Sequence, residues 1–313
     1  MLYLIFVRDF SNQMKGVENR YLNKEIKKVV PFHPIGSGML AAPFVFIGNS
    51  IQKISNNDGL ISFVYFMYSI APIFYLLISI LLIQKSLKVL NIRYNRNLLL
   101  IAIFGTGISY YSFDRFSMSH IYEFFGTSFL IYLSAYSLEK KNSSRIVYIN
   151  FLIGFLMFFF LAIRWTNYLF FIIPMIIYLI SKSSVKNLYL HPSFIFGGLL
   201  GLSIFLLHTK YLYGIYTLNQ APIVLSVENS FSANYTRFFD LNMFSENIVF
   251  VFEGLRIILF SQEFGLFYFA PILFLSLVFT MISIYEKKYS LGFCLLILYT
   301  IPFISVIVTQ NTA

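Results

Sequence analysis

The chain has 313 residues, of which 58% are hydrophobic and only 12% charged, with a mean hydropathy of +0.75. Soluble domains carry about 25% charged residues, so this composition excludes an ordinary soluble fold and leaves room for eight or nine spans of about 20 residues each. The apolar runs are long, unbroken and rich in Ile, Leu and Phe. That excludes a β-barrel, whose strands alternate over about ten residues.

The net charge of +10 does not point to nucleic acid, because many of the basic residues sit in short loops between apolar runs. The single cysteine, Cys294, lies inside an apolar run and has no intramolecular partner for a disulfide. Met1–Val7 is apolar but lacks a basic leading segment and is too short for a cleavable signal or a span. The fold class expected is therefore all-α: a single transmembrane domain over 1–313, built as a polytopic helical bundle.

In chain order, spans are expected at 60–84, 97–112, 121–138, 146–163, 168–181, 192–209, 265–284 and 289–309. The stretch 35–51 is apolar but short and glycine-rich, so it reads as re-entrant, interfacial or a tight span. Two longer polar stretches are a first outer loop, 8–34, and a large outer loop, 210–263. The loops holding Lys85, Lys88, Arg93 and Arg96, then Lys140, Lys141 and Arg145, then Lys182 and Lys186, then Lys287 and Lys288 fall on one side. By the positive-inside rule that side is cytoplasmic. All acids except Glu139 and Glu286 fall on the other. The expected location is a multi-pass cell-membrane protein with its chemistry facing outward.

Five outward segments gather the chemistry-bearing residues. They are Gly16–Leu22 with Glu18, and Pro31–Gly38 leading to Ala42-Pro43-Phe44. Then come Asp114–His120, Arg164-Trp165-Thr166-Asn167, and Phe260–Phe267 followed by Ala270-Pro271. In this order they resemble the polytopic glycosyltransferases of the GT-C fold, in the branch of the lipid-A aminoarabinose and dolichyl-phosphate-mannose transferases. The match covers about residues 16–271. It departs in two ways. The acidic pair of the family appears here as Val17-Glu18, and the segments upstream of Met1 and downstream of Ala313 that relatives carry are not in this sequence, as expected of a chain shortened at both ends.

The resemblance implies a polyprenyl-phosphate sugar donor, a glycan, lipid or protein acceptor, and a site at the bilayer surface. Glu18 and Asp114 are the candidate catalytic carboxylates; Glu18 reads equally as a solvated acid among Lys15, Arg20 and Lys24. Asp114 and His120 are the candidate ligands of a divalent metal, Mg or Mn, with donor phosphate oxygens completing its shell. They read equally as a helix-terminus pair.

Arg164 ends an unbroken apolar run, where an arginine costs about 2.5–3.5 kcal/mol at mid-membrane. It reads as a planar clamp on the donor phosphate, or as a side chain snorkelling to the interface. Lys210 and Arg256 are weaker candidates for the same phosphate. Glu123, one turn beyond His120, is read as an acid suited to the positive end of a helix.

The leading expectation is an inverting glycosyltransferase. The alternatives are a lipid-linked glycan flippase or transporter, and a non-catalytic membrane scaffold.

Overall fold

The structure, a computed structural model, describes residues 22–23, 28–29, 35–55, 63–114, 119–140, 143–164, 167 and 170–218, with isolated helical positions at 256, 260, 278, 280–282 and 285. The fold is helical. Its extended structure among the described residues is one two-residue antiparallel pairing, β1 (Leu22–Asn23) with β2 (Lys28–Val29), inside the expected first outer loop. The expected spans 265–284 and 289–309 lie essentially outside the described residues.

The helices are α1 (Gly36–Ser55), α2 (Phe63–Val89), α3 (Arg96–Phe104), α4 (Ile108–Phe113), α5 (His120–Glu139), α6 (Ile146–Phe159), α7 (Ile172–Ile180), α8 (Lys186–Tyr189) and α9 (Pro192–Tyr213). Local chemistry sets their ends. The Asn95 side chain, on an extended backbone, accepts from the Asn97 and Leu98 amides and opens α3. His191 caps α9 with Pro192 at its first position, and Gly214, left-handed at φ 80°, closes it. Asn91 and Lys182 take the left-handed position after α2 and α7, with the paired amide-to-carbonyl bonds that close such ends.

Among the described residues, two helices, α2 and α9, are long and apolar enough to cross a membrane. Only 33% and 28% of their apolar windows are buried, whereas a helix in a soluble core would be mostly covered. Leu77, Leu81, Leu199 and Leu207 are each more than half exposed.

Two expected spans differ from the structure. The run 97–112 is broken into α3 and α4 at Gly105-Thr106-Gly107, where Gly107 adopts φ 75°, a conformation most side chains avoid. Among the described residues of 168–181, the α-helical part is the nine residues of α7; these reach about 14 Å, half a bilayer core. The stretch 35–51, read as re-entrant, interfacial or a tight span, lies in one continuous helix, α1, with Pro43 inside it.

α5 is the central helix and packs against α2, α4, α6 and α7. Tyr75 joins three elements: its hydroxyl donates to the Leu40 carbonyl of α1 at 2.9 Å, and its ring meets Tyr122 and Phe125 of α5. At the far end of α5 the Ser137 hydroxyl meets the Tyr178 hydroxyl of α7 at 2.6 Å and Asn150 Oδ1 of α6 at 3.1 Å. Most serines within the helices donate back to the carbonyl four residues earlier, as Ser79, Ser86, Ser128, Ser134 and Ser203 do.

The most extensive helix pairing joins α6 and α9. A Cβ on Gly154 would lie under 3.0 Å from the Phe194 carbonyl oxygen, and one on Gly197 or Gly201 equally close to the carbonyl oxygen of Phe151 or Phe155. The two backbones therefore run side by side, in parallel, through glycines four residues apart on α9, a device membrane helices use because lipid removes the hydrophobic drive to associate. Gly154→Ala should cost about 1–3 kcal/mol through overpacking. Gly38→Ala, where a Cβ meets nothing within 4 Å, should be neutral or slightly stabilising. Thermal unfolding in detergent reads both, and equal effects would refute the glycine seam.

Candidate functional site

The site forms where α5 begins and the α6 segment ends. Ser119 precedes α5 with helical backbone angles and makes no cap bond to the helix amides; its hydroxyl donates instead to Glu123 Oε1 at 2.8 Å. His120 lies with its ring 4.2 Å from that of Tyr111 on α4, and its Nδ1 is 3.7 Å from Glu123 Oε2. Tyr111 is one turn before Asp114, which closes α4 and is exposed.

Beyond α6 the chain tightens into a 3-10 turn, Phe160–Ala162, and then reaches Arg164. Asn167 braces this bend: its side-chain amide donates to the Phe160 carbonyl at 2.9 Å and its backbone amide to the Arg164 carbonyl at 3.0 Å. The bend brings Arg164 Nη1 to 3.5 Å from Glu123 Oε1. The Glu123 side chain is 19% exposed and that of Arg164 41%, so the carboxylate is largely enclosed while the guanidinium reaches the surface. The start of α1 closes the same corner, because a Cβ on Gly36 would collide with the Ala162–Ile163 backbone.

Three of the five expected segments thus meet at one end of the bundle: the glycine entry to α1, the Ser119-His120 turn, and the Arg164–Asn167 bend. Glu123 is the group that links the last two. Lys210 lies near the C-terminal end of α9, which runs parallel to α6, so it falls toward the same end; it is exposed, with its ammonium 5.3 Å from the Tyr216 ring centroid. Arg256 is helical and exposed. Glu18, Trp165, Thr166, His33 and the Ser261–Phe267 segment lie outside the described residues.

No known family, no characterised protein and no solved structure matches this chain. The likeness to GT-C enzymes therefore rests on the order of the sequence motifs alone.

Among the described residues no group of three or more His, Cys, Asp or Glu is placed to hold an ion. The Glu123 carboxylate is engaged by His120 Nδ1 at 3.7 Å and by the Arg164 guanidinium at 3.5 Å.

Glu123 and Ser119 are the site residues that sequence reasoning passed over. Their spacing of four, and the His120–Glu123 spacing of three, were readable as one face of a helix. The partner Arg164 was not, because it arrives through the tertiary fold. In a double-mutant cycle, Glu123→Gln and Arg164→Gln should couple by about 0.5–1 kcal/mol, the low end of the range for contacting charges because Arg164 is partly exposed. Additive effects on unfolding would show that the two charges do not interact.

Proposed function

We propose that the chain is an integral membrane glycosyltransferase. It takes a sugar from a polyprenyl-phosphate donor and passes it to a glycan, lipid or protein acceptor at the outer membrane face. The observation that supports this most directly is the Glu123–Arg164 pair with His120 and Ser119 beside it. It is an enclosed carboxylate holding a half-exposed guanidinium at the end of the bundle away from the basic loops 140–145 and 182–186.

Pairing fixes the guanidinium on one side only. Its remaining N–H groups project as a planar fork suited to two phosphate oxygens. In this reading Glu123 is a positioning residue. Arg164 binds the donor phosphate and stabilises it as it leaves, which is often the largest catalytic contribution. Lys210 and Arg256 add positive charge around the departing lipid phosphate. An outer-loop carboxylate, Glu18, accepts the proton of the acceptor hydroxyl as its oxygen bonds to the anomeric carbon and the bond from that carbon to the phosphate oxygen breaks. A single displacement of this kind inverts the anomeric centre. The isoprenoid chain would lie in lipid against the exposed apolar faces of the bundle.

Kinetics on the intact enzyme with a polyprenyl-phosphate sugar test the assignment. Arg164→Lys keeps the charge but loses the fork, and should raise KM for the donor about tenfold or more. Glu18→Gln should leave donor binding intact and lower kcat by about 100-fold or more. A flippase or a scaffold releases no sugar from the donor, so absence of transfer in the wild type would remove the enzyme reading. Wild-type turnover in Glu18→Gln would move the base role to Asp114.

The membrane reading has its own test. In a Cys294→Ser background, Ser143→Cys should react with an impermeant maleimide only after cells are opened, and Ser232→Cys in intact cells. Labelling of position 143 from outside would invert the proposed orientation.

A further inference from the structure

A second polar site lies at the opposite end of α5. Ser137 is 14 residues beyond Glu123, about 21 Å along the helix axis. There a cavity of about 270 Å³ opens between the ends of α5 and α7 and the starts of α6 and α9. Its polar lining is Ser137, Asn150, Tyr178, Ser183, Asn187 and His191, with no carboxylate among the lining residues.

Two of these side chains are engaged by their neighbours through one polar atom each, which leaves a donor group on each uncommitted. Asn150 is 1% exposed, and its Oδ1 accepts from the Ser137 hydroxyl, so its NH₂ group is the part without a protein partner. His191 accepts at Nδ1 from the Ser193 amide, which in the neutral ring places the proton on Nε2. Asn187 is exposed at the rim. Asn150 lines the cavity, and its NH₂ group is not among the fully enclosed unpaired atoms, so it is open to a water or a ligand there.

The choice between cation, neutral and anionic ligands follows from this inventory. A cation finds no carboxylate. An anion finds the amide donors of Asn150 and Asn187 and the ring N–H of His191. The loop carrying Ser183 and Asn187 also carries the exposed cations Lys182 and Lys186. Helix ends do not decide the matter, because α5 and α7 end at the cavity while α6 and α9 begin there, so their dipoles oppose one another.

We infer that this cavity binds a phosphate-bearing group, either a lipid headgroup or a free phosphate, on the face opposite the Glu123 cluster. The inference stands apart from glycosyl transfer and does not depend on it.

Thermal unfolding of the intact chain tests it in two arms. In detergent, inorganic phosphate is compared with chloride at equal ionic strength. In nanodiscs, phosphatidylcholine with phosphatidic acid is compared with phosphatidylcholine alone. Saturating binding should raise the midpoint by about 2 °C or more. A shift with inorganic phosphate identifies a soluble ligand; a shift only with phosphatidic acid identifies the headgroup. Asn187→Asp sits at the exposed rim, so it should fold normally while placing a negative charge at the mouth, and it should abolish the shift in whichever arm shows one. Asn150→Leu should weaken apparent affinity at least about tenfold. No shift with either probe, or a shift that survives Asn187→Asp undiminished, would overturn the proposal.

Discussion

The Glu123 end of the bundle depends on how closely α6 and α9 approach. Side chains normally hold helix axes about 8–10 Å apart. Here Gly154 faces Gly198, and the Gly197 and Gly201 positions take carbonyl groups of α6 where side chains would otherwise be. In lipid such contact must come from packing and weak polar contacts, because the solvent itself is apolar. Once α6 is fixed against α9, the turn that follows it is fixed too: Leu161 and Ala162 pack against Phe205. The direction in which Arg164 leaves the helix is set by that turn and by the Asn167 brace.

The second requirement is electrostatic. A carboxylate that is four-fifths enclosed would be costly without partners, and Glu123 has three: the Ser119 hydroxyl, His120 and Arg164. Ser119 and His120 belong to the same first turn as Glu123, with the His120 ring tilted against Tyr111, and Arg164 comes from the separate bend after α6. The carboxylate is thus held from its own helix and from a second element, which keeps a charged group at a defined depth instead of letting it snorkel freely. The neighbouring Tyr122 shows the contrast. It is buried among Tyr75 and other rings, and its hydroxyl has no hydrogen-bond partner, so that position is held by packing alone.

Much of the helical frame was legible in the sequence because long apolar runs bounded by basic loops admit few readings. The span expected at 121–138 is α5 within a residue at each end, and 146–163 is α6 with its 3-10 turn. The break in 97–112 was visible as Gly105-Thr106-Gly107, but hydropathy averages over a two-glycine turn. The shortness of α7 was not visible, since the residues before it are as apolar as the helix. Glu123 lies in the first turn of α5, as its place in the sequence implies, and its contact with Arg164 is set by the tertiary fold, which no local spacing displays. The glycines of α9 were present as a spacing of four and could have been read as a packing face.

The serines that bond back to their own helices carry one more implication. A hydroxyl already satisfied by the preceding turn presents little polarity to its surroundings, so Ser79, Ser134 and Ser203 cost less in lipid than a transfer scale assigns them. Exchange between serine and alanine at such sites changes neither the apolar exterior nor the partner list of any neighbouring helix. These positions are free to drift under mutation while the glycine seam and the Glu123 cluster are not. Two descendants of a common ancestor could then differ across most of their spans and still share the same bundle, which would leave the resemblance in a few short motifs and almost nowhere else.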